Sequence, residues 1–231
     1  MTKLKGILVL VLLLSNVRGI AQIKSFKISG IVHDVDSAKF AYLTTLSQQQ
    51  TISSDKVFMV VPIVDGKFQF TGSLDLEQKK YQYACVFLDV RGNISKEETL
   101  SKFRRLIWIT GKTKNIKKII MEDLHLDITG YSKVIDAKVL AGGKLTKQSD
   151  ETSLAIRQRR LIDVIKKYPD SPVSFDQVST VTSLTDQFNK DKSASLYGTP
   201  DELFEQLSLK QRTSKEGIAL KKKIDAKKKH Q

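Results

Sequence analysis

A chain of 231 residues, 40% hydrophobic and 28% charged, carries enough apolar material for one or two packed domains. Its single cysteine, Cys85, excludes an intrachain disulfide framework, a Cys-rich zinc site and a CxxC redox pair within the sequence. Twelve Gly and four Pro exclude a collagen-like or low-complexity chain, and the formal net charge of +14 has to be located before it is assigned to a partner.

At the N-terminus Lys3 and Lys5 precede an unbroken apolar run, Ile7–Leu14, and Gly19-Ile20-Ala21 follows as a small-x-small triplet. A short positive region, a short apolar region and a small-residue site are the layout of a cleavable secretory signal, with cleavage expected between Ala21 and Gln22. The apolar run is far below the roughly 20 residues needed to cross a bilayer. No cysteine stands at the cleavage site to take a lipoprotein anchor. The expected location is the periplasm or cell envelope, not as a lipoprotein.

Loss of Lys3, Lys5 and Arg18 with the signal lowers the charge from +14 to +11. From Lys210 to Gln231, nine Lys/Arg face only Glu216 and Asp225, so this tail holds +7 and the rest of the mature chain about +4. A nucleic-acid reader would interleave basic and aromatic residues on a folded face, and no aromatic follows Phe204. No nucleic-acid partner is expected; the basic tail has the charge for weak contact with anionic envelope lipids.

From Lys24 to about Leu145 the pattern has period two. Phe26, Ile28, Gly30 and Val32 alternate with Lys27, Ser29, Ile31 and His33, and Phe40, Tyr42, Thr44 and Leu46 recur with the same period. Val57–Val64 is a richer apolar run whose Pro62 belongs at a sheet edge or bulge. Asp65-Gly66 then predicts a type I′ hairpin into Lys67–Thr71, because both central residues of that turn need positive φ. Further strands are expected over Tyr81–Val90, ending at the Arg91-Gly92-Asn93 turn, over Leu106–Ile109 with Trp108 as an anchor, over Ile119–Thr129 and over Val134–Leu140. Such a series predicts an antiparallel β-sandwich or partly closed barrel.

After Gly142-Gly143 the period becomes helical. Leu154, Leu161, Ile165 and Tyr168 share one face of a helix ending at Pro169, and Ser171-Pro172 restarts the chain as cap and first turn. Thr199-Pro200-Asp201-Glu202 reads as a capping box. A last helix, about Ser214–Lys229, has only Ile218, Leu220 and Ile224 as apolar residues besides alanines and is expected to fray. The fold class is thus α+β: a signal over 1–21, a β-sandwich-like domain over 22–148, a helical module over 149–209 and a basic helical tail over 210–231. No 20–50-residue repeat is present.

Candidate chemistry is sparse. His33, His125 and His230 show no HxH, HxxxH or HxxE spacing, and His125 falls on the polar face of its strand. Glu122, Asp123, Asp127 and Asp136 do not fit a calcium loop, and Gly142-Gly143-Lys144 lacks the rest of a phosphate-binding loop. Cys85, within Tyr83-Ala-Cys-Val-Phe, is either a reactive thiol or a buried apolar residue, and no nearby cation in sequence favours the thiolate. No catalytic, cofactor-binding or metal residues are assigned.

In order, Phe26–Val32, the Val64–Gly72 hairpin, Leu126-Asp-Ile-Thr-Gly130, Ala141–Lys147, Ile165–Ser174, Ser208-Leu-Lys210 and Thr213–Gly217 resemble the domain-of-unknown-function 4369 family. Its members carry a secreted β-domain ahead of a thioredoxin-like or peroxiredoxin-like module in bacterial envelope proteins. The resemblance implies a non-catalytic exported module for binding or positioning, with thioredoxin-like envelope proteins as partners. It departs from the family in having no CxxC within the sequence. The alternative is a truncated or split relative of a thiol–disulfide oxidoreductase whose redox module is on another chain. The signal reading predicts that protein recovered from the envelope fraction has an intact mass beginning at Gln22. Cytosolic protein beginning at Met1 would refute export.

Overall fold

Alternation in Ile23–Val32 (β1) turns Phe26, Ile28 and Val32 inward and leaves Lys27 and Ser29 toward solvent. Seven further strands follow: Phe40–Thr44 (β2), Phe58–Pro62 (β3), Lys67–Asp75 (β4), Tyr83–Asp89 (β5), Ile116–Ile120 (β6), Leu124–Ile128 (β7) and Lys138–Gly142 (β8). A computed structural model describes residues 22–34, 38–46, 51–104, 116–184 and 196–229. The strands form two four-stranded sheets, β4-β1-β7-β8 and β3-β2-β5-β6, packed over a shared core that includes Phe26, Ile28, Leu43, Phe70, Val86 and Leu126. Helices follow at the C-terminal end, so the class is α+β.

The strand expected over Val134–Leu140 gives way at its start to a 3-10 helix, Tyr131–Asp136, and β8 runs from Lys138 to Gly142 instead, because Ala137 lies between a helical turn and an extended run. The sandwich departs from the expected pattern in three further ways. β1 and β7 pair in parallel, so the first sheet is mixed rather than antiparallel. Asp65 (φ 49°) and Gly66 (φ 71°) do form the tight turn, closed by reciprocal 2.9 Å bonds between Val64 and Lys67. The ladder stops after that one pair, because β3 belongs to the second sheet and β4 to the first. Ile119–Thr129 likewise splits at Met121–Asp123, with β6 in one sheet and β7 in the other. The same alternation that serves one continuous strand also serves two strands facing a common core, so periodicity could not separate them. The expected strand at Leu106–Ile109 lies outside the described residues.

The second sheet is covered on both faces. Its outward Tyr42 and Phe87, stacked at 4.7 Å, pack with Ile94 and with Phe103 of Lys96–Arg104 (α1). The Tyr42 hydroxyl donates to the Arg91 carbonyl at 2.6 Å and accepts from the Ile94 amide at 3.1 Å, which pins the loop entering α1. Burial is the main cause that raises the pKa of this phenol. The signal for α1 was local: Ser95 accepts from the Glu98 amide, Glu97 and Glu98 occupy the first turn, and Lys102 and Arg104 the last.

Lys144–Arg157 (α2) and Leu161–Lys167 (α3) divide the helix expected through Leu154 and Tyr168, at a break where Arg159 adopts φ 59°. Pro172–Leu184 (α4) starts as anticipated, Ser171 accepting from the Val173 amide at 3.1 Å. Pro200–Glu205 (α5) carries both halves of the capping box, and Leu209–Thr213 (α6) and Lys215–Lys229 (α7) follow. α7 is packed rather than loose: Leu220 and Ile224 join Leu161, Ile165, Val178 and Leu203 in a second core. Lys221 holds Asp201 and Asp225, each at 2.9 Å.

Strand and helix layers meet at a small set of contacts. Glu122 accepts from the amides of Leu145 (3.2 Å) and Thr146 (2.7 Å) and from the Thr146 hydroxyl (2.9 Å), at the start of α2. Thr146 in turn accepts from the Ile120 amide at 3.0 Å. Tyr81 donates to Asp176 of α4 at 2.5 Å, and Ile120 and Val173 pack beside it. The turn into α2 requires glycine twice: Gly142 and Gly143 have φ 63° and 58°, and a Cβ on Gly142 would lie 2.2 Å from the Asp123 carbonyl oxygen. Gly142→Ala is therefore expected to cost at least the roughly 1–3 kcal/mol of a left-handed non-glycine residue. Urea unfolding of the variant reads this directly, and an unchanged midpoint would refute the placement of the turn.

Candidate functional site

The first sheet presents one face to solvent, and the polar residues of the strands collect there. Outward positions of β1 (Lys27, Ser29), β4 (Lys67, Gln69, Thr71) and β7 (His125, Asp127) lie side by side, with Ser29 opposite Gln69 on one flank and His125 on the other. The parallel β1–β7 register brings together residues far apart in sequence. Ser29 Oγ lies 2.8 Å from His125 Nδ1, His33 Nε2 lies 2.5 Å from Asp127 Oδ1, and the Lys27 amide donates to Asp123 Oδ1 at 2.7 Å. Two open hollows border this ladder, of about 220 Å³ beside Asp123 and Ala141 and about 590 Å³ toward Pro62 and Val64. Ser29 and His125 line both.

A serine–histidine contact is the start of a nucleophilic constellation, which also needs a group orienting the base. The carboxylate two residues along β7, Asp127, is engaged by His33 instead. The ladder thus consists of separate donor–acceptor pairs across two strands, a form suited to surface contact. Among the described residues, no group of three or more His, Cys, Asp or Glu is arranged to hold a metal ion. His125 occupies the polar face expected from its alternation. Its serine partner, and the pairing of His33, depend on the parallel register, for which the local sequence holds no signal.

The acidic residues near His125 are committed elsewhere. Glu122 caps α2 and Asp123 receives the Lys27 amide, while the Asp123 carbonyl accepts from Gly143 at 2.8 Å. Gly142-Gly143-Lys144 forms the turn leaving the sheet. The helix N-terminus that a phosphate would seek is filled by the chain's own carboxylate, Glu122.

Cys85 sits on β5, half-buried against the layer between the second sheet and α1. Burial pushes its thiol up to about 12, and the Lys118 ammonium opposes this too weakly to reverse it. That cation comes from the neighbouring strand, paired directly opposite at Cys85–Lys118, which is why the flanking sequence did not reveal it. Lys118 instead lies 3.6 Å from the centre of the Tyr83 ring.

Gln22 leads into β1, its carbonyl accepting from the Leu76 amide at 3.1 Å; Ala21 and His230 lie outside the described residues. In the basic tail, Lys221 is ion-paired, Lys223 donates to Ser183 at 3.0 Å and Lys227 donates to the Thr182 carbonyl, so these lysines serve the fold. Lys210, Lys215 and Lys222 remain exposed. Among the described residues no helix is long and apolar enough to cross a membrane.

In comparisons with known proteins, no family model matches the chain, and neither a curated protein nor a solved structure matches it.

The raised pKa of Cys85 leaves roughly a thousandfold less thiolate at pH 8 than a free cysteine has. Alkylation by iodoacetamide at that pH should be nearly undetectable in the folded protein and rapid in urea. A native rate equal to that of free cysteine would overturn the burial of the thiol.

Proposed function

We propose that the chain is a non-catalytic exported module of the bacterial cell envelope. It binds or positions a partner and is related to the N-terminal region of thioredoxin-like envelope proteins. The observation that carries this reading is the open polar face of the first sheet, where Ser29, His125, His33 and Asp127 form paired contacts rather than one convergent site. An open face of hydroxyl, imidazole, amide and charged groups, with hollows that stay open to solvent, offers hydrogen bonds to a macromolecular surface.

The state of Cys85 supports the same conclusion. Thiol–disulfide exchange begins with a thiolate, and this thiol is held neutral by burial. Thioredoxin-like envelope proteins are the proposed partners, and the exposed lysines of α6 and α7 offer a secondary contact to anionic lipid. In an insulin-reduction assay with dithiothreitol, wild type and Cys85→Ser are both expected to run at the background rate. Turnover that disappears in Cys85→Ser would overturn the non-catalytic reading and make Cys85 the reacting group.

A further inference from the structure

The two hollows beside the polar ladder differ in charge. The smaller, of about 220 Å³, has both Lys27 and Asp123 in its lining, so its formal charges cancel. The larger, of about 590 Å³, is lined by Lys67 and by no carboxylate. Lys67 is exposed on β4, and among the described residues no acidic side chain pairs with its ammonium. This hollow therefore favours an anion, and its volume suits a ligand larger than a simple ion.

The rest of the lining is of two kinds. Ser29, Gln69 and His125 form one rung across β4, β1 and β7, with Ser29 opposite Gln69 on one side and His125 on the other. Pro62 and Val64 make an apolar side, where Val64 is 60% exposed. An apolar group seated there removes Val64 from water.

Spacing relates the cation to the rung. Lys67 and Gln69 share the outward face of β4 two residues apart, which separates them by roughly 7 Å along the strand. An extended peptide advances by the same roughly 7 Å every two residues. A terminal carboxylate at Lys67 thus brings the preceding peptide groups of its own chain to the rung. There, Ser29 engages His125 Nδ1 at 2.8 Å. With Ser29 donating to Nδ1, the imidazole proton is on Nε2, a donor for a peptide carbonyl.

We propose that this hollow takes the free C-terminus of a partner polypeptide whose last side chain is apolar. Lys67 pairs with the terminal carboxylate, the rung of Gln69, Ser29 and His125 hydrogen-bonds the peptide groups before it, and the last side chain covers Val64 and Pro62. The mixed lining favours a peptide over a fatty acid. An alkyl chain would satisfy Val64 but would displace water from the Gln69 amide and the Ser29–His125 pair without replacing its hydrogen bonds. The inference rests on the reading of this face as a partner-binding surface, and it names the part of the partner that is held.

An NMR titration of the full chain with acetyl-Ala-Ala-Ala-Leu bearing a free carboxylate tests this. The expected result is saturable shifts at the Ser29, Lys67, Gln69 and His125 amides in the millimolar range. Binding should weaken by roughly tenfold or more when the peptide ends in a carboxamide, and equally in Lys67→Met, since each change removes one charge-assisted contact. Lys138→Met, at the opposite edge of the same sheet, should bind as wild type does. Carboxamide binding as tight as that of the acid, or undiminished binding by Lys67→Met, would overturn the proposal. Octanoate binding as tightly as the peptide would assign the hollow to a lipid anion and overturn it too. A titration without shifts overturns the peptide terminus as ligand, whereas insulin turnover through Cys85 is what would overturn the non-catalytic module itself.

Discussion

Glu122 stands where the sheets hand over to the helices, and its carboxylate holds both sides. It takes the amides of Leu145 and Thr146 at the positive end of α2, while Thr146, fully buried, also receives the Ile120 amide from β6. Hydrogen bonds to a charged group contribute about 1.5–3 kcal/mol, and the helix dipole adds to that. The chain runs from β8 through Gly142 and Gly143 into this cap without slack. Moving Glu122 would move α2, and with it the Lys117–Asp150 ion pair at 2.7 Å and the Gln148–Ser171 bond that starts α4.

That junction constrains the sandwich as well. Because β6 and β7 flank Glu122 and belong to different sheets, the segment that caps the helix is also the segment that crosses between layers. The return of the chain through β7 beside β1 creates the parallel pair, and the parallel pair creates the polar ladder. Ser29 against His125 and His33 against Asp127 are therefore consequences of the crossover. The face they occupy is left to solvent because the helices gather at the second sheet's end and α1 covers that sheet's outer surface. Function is proposed for a broad sheet face that, among the described residues, no helix covers.

Charge follows the same division. The lysines of α7 appear in sequence as a single basic run, yet in the fold they separate into two groups. Lys221, Lys223 and Lys227 bind Asp201, Asp225, Ser183 and the carbonyl end of α4, while Lys222 points to solvent. Cations at a helix C-terminus are favoured by the exposed carbonyls there. The net charge of the tail thus overstates what it can offer to an outside partner.

Local chemistry made much of the fold legible. Alternation marked β1, β2, β4 and β5, Pro62 marked an edge, Asp65-Gly66 marked a tight turn, and Ser171-Pro172 and Thr199–Glu202 marked helix starts, because each of these signals acts within a few residues. The α+β class followed from the change of period after Gly143. Only the tertiary structure decided which strands share a sheet, since an inward-facing residue looks the same in sequence whichever sheet it belongs to. Tertiary structure also decided the candidate site, because Ser29 and His125 meet across 96 residues through a parallel register, and the cation beside Cys85, because Lys118 arrives from the next strand. Sequence spacing reports neighbours along one element; the site lies between elements, where pairing set by the whole core determines which residues touch.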